Sequence, residues 1–349
     1  LLAIDHDVTI ILDNLEECEL IHEVSKTLKK SAKIGIRLSG FEVDGRKLYS
    51  RFGFDIDDVE DTIISNLNNR PWCDFEICGL HFHLDGYSIK ERGQALHKTI
   101  EIYNALKKTG LPMNFINIGG GIRVNYLESK AEWSEFDISL KKSIQGEQPE
   151  ITFENNGLGY QLHGSDIIGS LKSYPYYNDI HGSTYISEIL NFKSESGTIV
   201  SEKLLDSDIE IRIEPGRSLL SQTGITIARV AHRKRDSKKR WLVGLEMNQS
   251  QLMSSSADFL LDPYVLYKNK IEGDAVDIYL TGAYCLEGDI ILKRKLSLPA
   301  LPSIGDVVVF VNTAGYMMHF YERQSHLLDF ASNLLFIGDD SPISIDDFI

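Results

Sequence analysis

Apolar positions along this chain switch between two spacings. Between Val8 and Gly224, short runs with the two-residue period of a strand alternate with longer stretches of helical period. Residues 8–12 predict a strand, followed by a helix over about 15–29 capped by Asp13 or Asn14. Further strands are predicted over 33–38, 77–84, 115–118 and 209–213, with helices over 57–68 and 89–108. The alternation implies a parallel sheet with helices packed on it. Several strand ends carry charged residues or glycines, which favours a closed (β/α)8 TIM barrel with its chemistry at the carboxyl ends. Only about six strands can be placed before Gly224. Leu1-Leu2-Ala3 shows neither an initiator Met nor a signal-peptide pattern, so the N-terminal part of the barrel is expected upstream of Leu1.

Over 122–205 the rhythm breaks. This stretch is rich in Gly, Asn and aromatics (Trp133, Tyr160, Tyr174, Tyr176, Tyr177, Tyr185) and is too long for an ordinary strand-to-helix connection. It is expected to be an insertion near the active rim: a lid, a substrate wall or a dimer contact. From 224 onward strands dominate, over 225–231, 241–245, 276–281, 290–292 and 307–311. The expected division is therefore a barrel over 1–223, with the insertion at about 122–205, and a β-rich domain over 224–349. The acidic end, 338–349, reads as a loose tail.

Composition narrows the function classes. With 42% hydrophobic and 25% charged residues, the chain reads as a soluble globular protein that can bury a sizeable core. A formal net charge of −15, with no basic stripe, argues against a nucleic-acid partner. No apolar run reaches membrane-spanning length. Cys18, Cys73, Cys78 and Cys285 form neither a disulfide framework nor a CxxC metal pattern, which fits a reducing cytoplasm.

Glu214-Pro215-Gly216-Arg217 stands out among the candidate chemistry. Ile209, Ile211 and Ile213 share one face of the preceding strand, and Glu210, Arg212 and Glu214 share the other. In a barrel the isoleucines would pack outward on the helices, leaving the charged face inside with Glu214 uppermost. A guanidinium there suits a phosphate, and a carboxylate suits a ring nitrogen that must stay protonated; a surface strand ending in an ordinary turn is the bland alternative. Gly119-Gly120-Gly121 after an apolar strand could let backbone N–H groups approach an anion, although glycine triplets are common in turns.

His81 and His83 also share a face. They could ligate a metal, but later strands offer no matching ligands; His83 is better placed to stack on an aromatic cofactor, and a hydrogen-bonded interior histidine remains the alternative. Cys285 lies in the polar turn 282–289, beside Glu287 and Asp289, where a thiol is expected to be exposed and used. Tyr316 follows strand 307–311 at a turn from which a phenol can donate to a phosphate; by itself it is more often structural.

Together these stretches, in this order, resemble the fold-type III pyridoxal-phosphate decarboxylases, the family of diaminopimelate, ornithine and arginine decarboxylases. The resemblance covers most of the chain outside the insertion. It implies an alanine-racemase-like barrel plus a β-domain, pyridoxal 5′-phosphate as cofactor, and a homodimer with active sites at the interface. His83 would stack on the pyridine ring, and Glu214 would pair with its nitrogen. Gly119, Gly120, Gly121, Gly216, Arg217 and Tyr316 would hold the phosphate, with Gly86 at the turn after the stacking histidine. Cys285, reaching in from the partner subunit, would act near the substrate α-carbon as proton donor, and Arg37 matches a family arginine at a strand end near the cofactor.

Loss of CO₂ leaves two electrons on the α-carbon, delocalised into a protonated pyridinium; a carboxylate at Glu214 favours that form, whereas family racemases place Arg there. Decarboxylation of an amino acid is thus expected. An inactive homologue with a regulatory or binding role, or a racemase or epimerase, are the alternatives. Four departures stand against the family pattern. The Tyr-Ala-x-Lys-Ala-Asn stretch with the Schiff-base lysine does not occur in residues 1–349 and is expected upstream. The usual Gly-Ser after the stacking histidine is replaced by Leu84-Asp85-Gly86. Leu286 follows Cys285 where diaminopimelate decarboxylases have Glu, and Met247-Asn248 lacks their basic residue, so no substrate is assigned.

Overall fold

In the computed structural model, residues 1–69, 71–194, 196–271, 273–338 and 343–346 are described. The chain divides into two compact units, Leu1–Arg123 with Ile180–Leu219, and Val124–Asp179 with Leu220–Ile349.

The first unit is built on a parallel sheet whose strands lie side by side in chain order: Ile10–Leu12, Lys33–Ser39, Glu76–Phe82, Phe115–Asn117 and Glu210–Arg212. A short strand, Phe54–Asp55, adds to the end of the second. Nearly every residue of Glu76–Phe82 is buried, as in a strand covered on both faces. The covering helices are Glu16–Leu28, Val59–Asn66, Ile89–Lys108, Gly182–Leu190 and Val200–Asp206. In Ile89–Lys108 the buried stripe runs Arg92, Ala95, Leu96, Thr99, Ile100, Tyr103 and Leu106, a helical spacing. The Ser88 side chain caps its start by accepting from the Glu91 N–H at 3.2 Å.

Expected elements and observed ones differ in places. Val8 is exposed, and the first strand begins at Ile10. Ile209 and Ile211 pack against the core, but Ile213 lies beyond the strand end and is 43% exposed, so the outward-packing row is two residues long. Among the described residues the sheet has five main strands in an open parallel order.

The 122–205 segment contributes to both compact units. Its second half supplies the helices Gly182–Leu190 and Val200–Asp206 to the first unit, whereas Val124–Asp179 joins the second. There its aromatics pack on one another: Trp133 stacks on Tyr176 with centroids 5.8 Å apart, and Tyr126 meets Tyr176 at 5.0 Å. The Tyr176 hydroxyl also accepts from the Leu260 N–H at 2.9 Å, and Phe153 N donates to Lys293 O at 2.6 Å.

The second unit is organised around a six-stranded sheet in the order Tyr264–Leu266, Val307–Val311, Ile225–Arg235, Trp241–Leu245, Val276–Thr281, Leu296–Leu298. All neighbours are antiparallel except the Trp241 and Val276 strands. The 11-residue strand Ile225–Arg235 serves both halves of this sheet, with a register irregularity between Val230 and His232. Its core contains Val230, Val243, Ile278, Leu292, Val308 and Phe310. Most of the acidic tail lies outside the described residues.

Candidate active site

At the carboxyl-terminal rim of the parallel sheet, three adjacent strands deliver polar side chains to one place. Asn117 ends one strand; Glu214 lies two residues past the end of its neighbour, and its N–H donates to Gly119 O at 3.0 Å. The Asn117 amide serves two masters: Nδ2 donates to Glu214 Oε1 at 2.9 Å, and Oδ1 accepts from the Gly119 N–H at 2.9 Å. From the third strand and the residue beyond its end, His81 Nε2 and His83 Nδ1 stand 3.2 Å and 3.8 Å from the two Glu214 oxygens.

The electrostatics leave the carboxylate's charge unspent. Burial holds His81 at about 4, with Arg37 and His83 pushing the same way and Glu214 only partly countering. Burial, then Arg37 and Arg92, also lower His83 against the pull of Glu214. Both rings are thus neutral near pH 7, and the short His81–Glu214 distance is no ion pair. Neither His81 nitrogen makes an aligned hydrogen bond, although the ring is buried. His83 is about two-fifths exposed, and its Nδ1 accepts from the Gly120 N–H at 3.2 Å.

The glycine triplet is required by close packing. A Cβ at Gly119 would fall 2.6 Å from Phe82 O, and one at Gly120 would fall 2.7 Å from Glu214 O. At Gly121 it would collide with the Arg92 guanidinium; Gly119 and Gly121 also have φ of +69° and +76°. The N–H groups of the triplet are not equivalent. Gly119 and Gly120 donate within the site, whereas the Gly121 N–H has no acceptor among the described residues.

Arg37 lies two residues before the end of the Lys33–Ser39 strand, in register with His81, its Nη1 3.6 Å from Asp13 and its guanidinium 4.3 Å over the Phe52 ring. Gly86 has φ of +73° and accepts from Arg92 through its carbonyl. Gly216 opens the short 3₁₀ turn Gly216–Ser218 that carries Arg217, three residues beyond Glu214.

Cys285 and Tyr316 belong to the second unit. Cys285 is exposed, in a turn fixed from within by buried Asp289, which accepts from Tyr284 N at 2.7 Å and Gln249 N at 2.8 Å. Tyr316 has φ of +66° and meets Phe320 edge-on at 5.4 Å. Sequence reasoning missed Asn117 and Arg92. Arg92 did leave a signal: a charged residue inside the apolar stripe of a helix.

Residues 2–156 match the family described as pyridoxal-dependent decarboxylase, pyridoxal binding domain. Among curated relatives, the chain is 28% identical over 253 residues to an uncharacterized protein of Sinorhizobium fredii, covering 71% of this chain and 51% of that one. It is 23% identical over 325 residues to the diaminopimelate decarboxylase of Campylobacter jejuni, covering 90% and 64%. The chain therefore spans between half and two thirds of the length of these relatives. Among solved structures, diaminopimelate decarboxylase from Helicobacter pylori complexed with L-lysine superposes with a TM-score of 0.64 at 17% identity, over 99% of this chain and 71% of that one. Over residues 2–156 the chain is thus similar to the pyridoxal-dependent decarboxylases, a family that uses pyridoxal phosphate, and it shares the alanine-racemase-like fold of the solved diaminopimelate decarboxylases.

Proposed function

We propose that this protein binds pyridoxal phosphate at the carboxyl-terminal rim of its parallel sheet and decarboxylates an amino acid. The observation that carries the reading is the Glu214 carboxylate, fixed by Asn117 and flanked by two neutral imidazoles. A negative charge so placed and not offset by its histidines is suited to a cationic ring nitrogen. The residues fit the cofactor on a second count, since buried His81 lacks an aligned partner beside Glu214. When bound, pyridoxal phosphate supplies the electron sink for the pair left on the α-carbon as CO₂ departs.

The protein's part is positioning and charge. Glu214 would hold the proton on the ring nitrogen, and half-exposed His83 would cover a ring face. Gly86, Gly121, Gly216 and Arg217 would receive the phosphate, and Arg37 would border the site. The Cys285 thiol would return a proton to the α-carbon across a homodimer interface, in a cytoplasmic enzyme. No helix among the described residues is long and apolar enough to cross a membrane. Glu214 disfavours racemase chemistry, which needs the ring nitrogen unprotonated.

Carbon dioxide release by the natural protein loaded with pyridoxal phosphate, assayed across the common amino and diamino acids, tests the proposal. Glu214→Gln should lower kcat roughly 100-fold, as when a preorganised partner of developing charge is removed, and leave cofactor affinity nearly unchanged. Bound cofactor without CO₂ from any amino acid would overturn the activity and favour a regulatory or binding homologue.

A further inference from the structure

Arg92 lies in the first turn of the Ile89–Lys108 helix, 1% exposed, with no carboxylate paired to it among the described residues. Its Nη2 donates to three backbone carbonyls: Leu84 at 3.1 Å, Gly86 at 2.9 Å and Gly120 at 3.3 Å. These belong to two loops, the turn after the histidine strand and the glycine triplet. A buried guanidinium keeps its charge, and one without a carboxylate is costly unless a nearby function repays it.

Peptide geometry says what the arrangement achieves. In a trans peptide the N–H of the next residue points opposite to the carbonyl. With the carbonyls of Leu84, Gly86 and Gly120 turned toward Arg92, the N–H groups of Asp85, Tyr87 and Gly121 are turned away from it. Those of Asp85 and Gly121 have no acceptor among the described residues. Outward N–H groups backed by a buried positive charge form an anion-binding concavity.

We infer that Arg92 is a positioning residue for the phosphate: it orients the two loops and supplies buried positive charge where Leu84-Asp85-Gly86 offers no serine hydroxyl. The inference rests on the pyridoxal-phosphate reading and goes beyond it, since it assigns phosphate recognition to a side chain that is shielded from the ligand by the loops it holds.

The test measures binding of pyridoxamine 5′-phosphate, of pyridoxamine and of inorganic phosphate by calorimetry, for the natural protein and for Arg92→Met and Arg92→Gln. The natural protein should prefer the phosphorylated compound, and each variant should lose that preference at least tenfold while binding pyridoxamine as before. A preference kept in the variants, or an equal weakening toward both compounds, overturns the role of Arg92 and leaves the cofactor reading intact. Binding of inorganic phosphate that Arg92→Met abolishes, without binding of pyridoxamine phosphate, supports Arg92 and sinks the cofactor reading. Binding of neither by the natural protein overturns both. Should the variants not fold, amide resonances decide it in the unsubstituted protein. Those of Asp85 and Gly121 should shift with pyridoxamine phosphate and stay put with pyridoxamine; no selective shift overturns the inference.

Discussion

Asn117 shows how much of the site depends on a neutral side chain with a donor at one tip and an acceptor at the other. It ties Glu214 to the loop of Gly119, so the carboxylate cannot move without the glycine triplet. Asn117→Asp would replace the donor with a second carboxylate at hydrogen-bond distance from Glu214. Two such groups cannot both ionise easily, so one pKa rises. The acid limb of kcat/KM should then move to higher pH by about 1 unit or more, and a pH–rate profile would reveal it; an unmoved limb would mean Glu214 need not be ionised. Of these residues, His83 and Glu214 were legible in the sequence because each sits at a strand end with a turn signal after it. Asn117 and Arg92 were not. Periodicity assigns a residue to a face, but it does not say that a buried guanidinium will reach three carbonyls belonging to two separate loops.

Among elements, the Ile89–Lys108 helix was read from sequence with the bounds it has in the structure, because its cap, its apolar stripe and its basic last turn agree. The Glu210–Arg212 strand is shorter than its alternation implied, since pairing with Phe115–Asn117 stops at Asn117 and the chain turns. Helix 89–108 also depends on Gly93. A Cβ there would collide with the Phe192 ring, which the segment after Gly182–Leu190 lays against the helix. Gly93 is helical, so alanine would gain about 1 kcal/mol in propensity, but overpacking costs about 1–3 kcal/mol. Gly93→Ala should therefore be neutral to destabilising, measured as a lower urea midpoint. A clear gain would mean that Phe192 moves aside freely.

At the scale of the whole molecule, the two units each have a hydrophobic core of their own. The assignment of Val124–Asp179 to the second unit was illegible in the sequence for a physical reason. Its anchors are distant along the chain: Tyr176 to Leu260, Phe153 to Lys293, Ala257 N to Lys172 O. Local pattern carries no record of such pairings. The fold also sets a pH dependence. His81 is held at about 4 when folded, against an ordinary value of about 6.5 unfolded. Between those values the unfolded chain binds the extra proton, so stability is full above about pH 6.5 and falls as pH drops toward 4, by about 3 kcal/mol at most. Denaturant midpoints at pH 7 and pH 5 should differ in this direction, and His81→Asn should flatten the difference. Equal slopes in both proteins would place the acid sensitivity elsewhere.

The bond from the Gly120 amide to His83 has one more consequence. An imidazole nitrogen that receives a hydrogen cannot also carry one, so the ring's single proton must reside on Nε2. Taking up a second would break the bond to Gly120 and unlatch the glycine loop from the histidine strand. Acid strong enough to protonate this imidazole, whose affinity for a proton burial lowers, should therefore release the glycine loop, and the histidine proposed to cover a cofactor ring would double as the catch on the loop beside it.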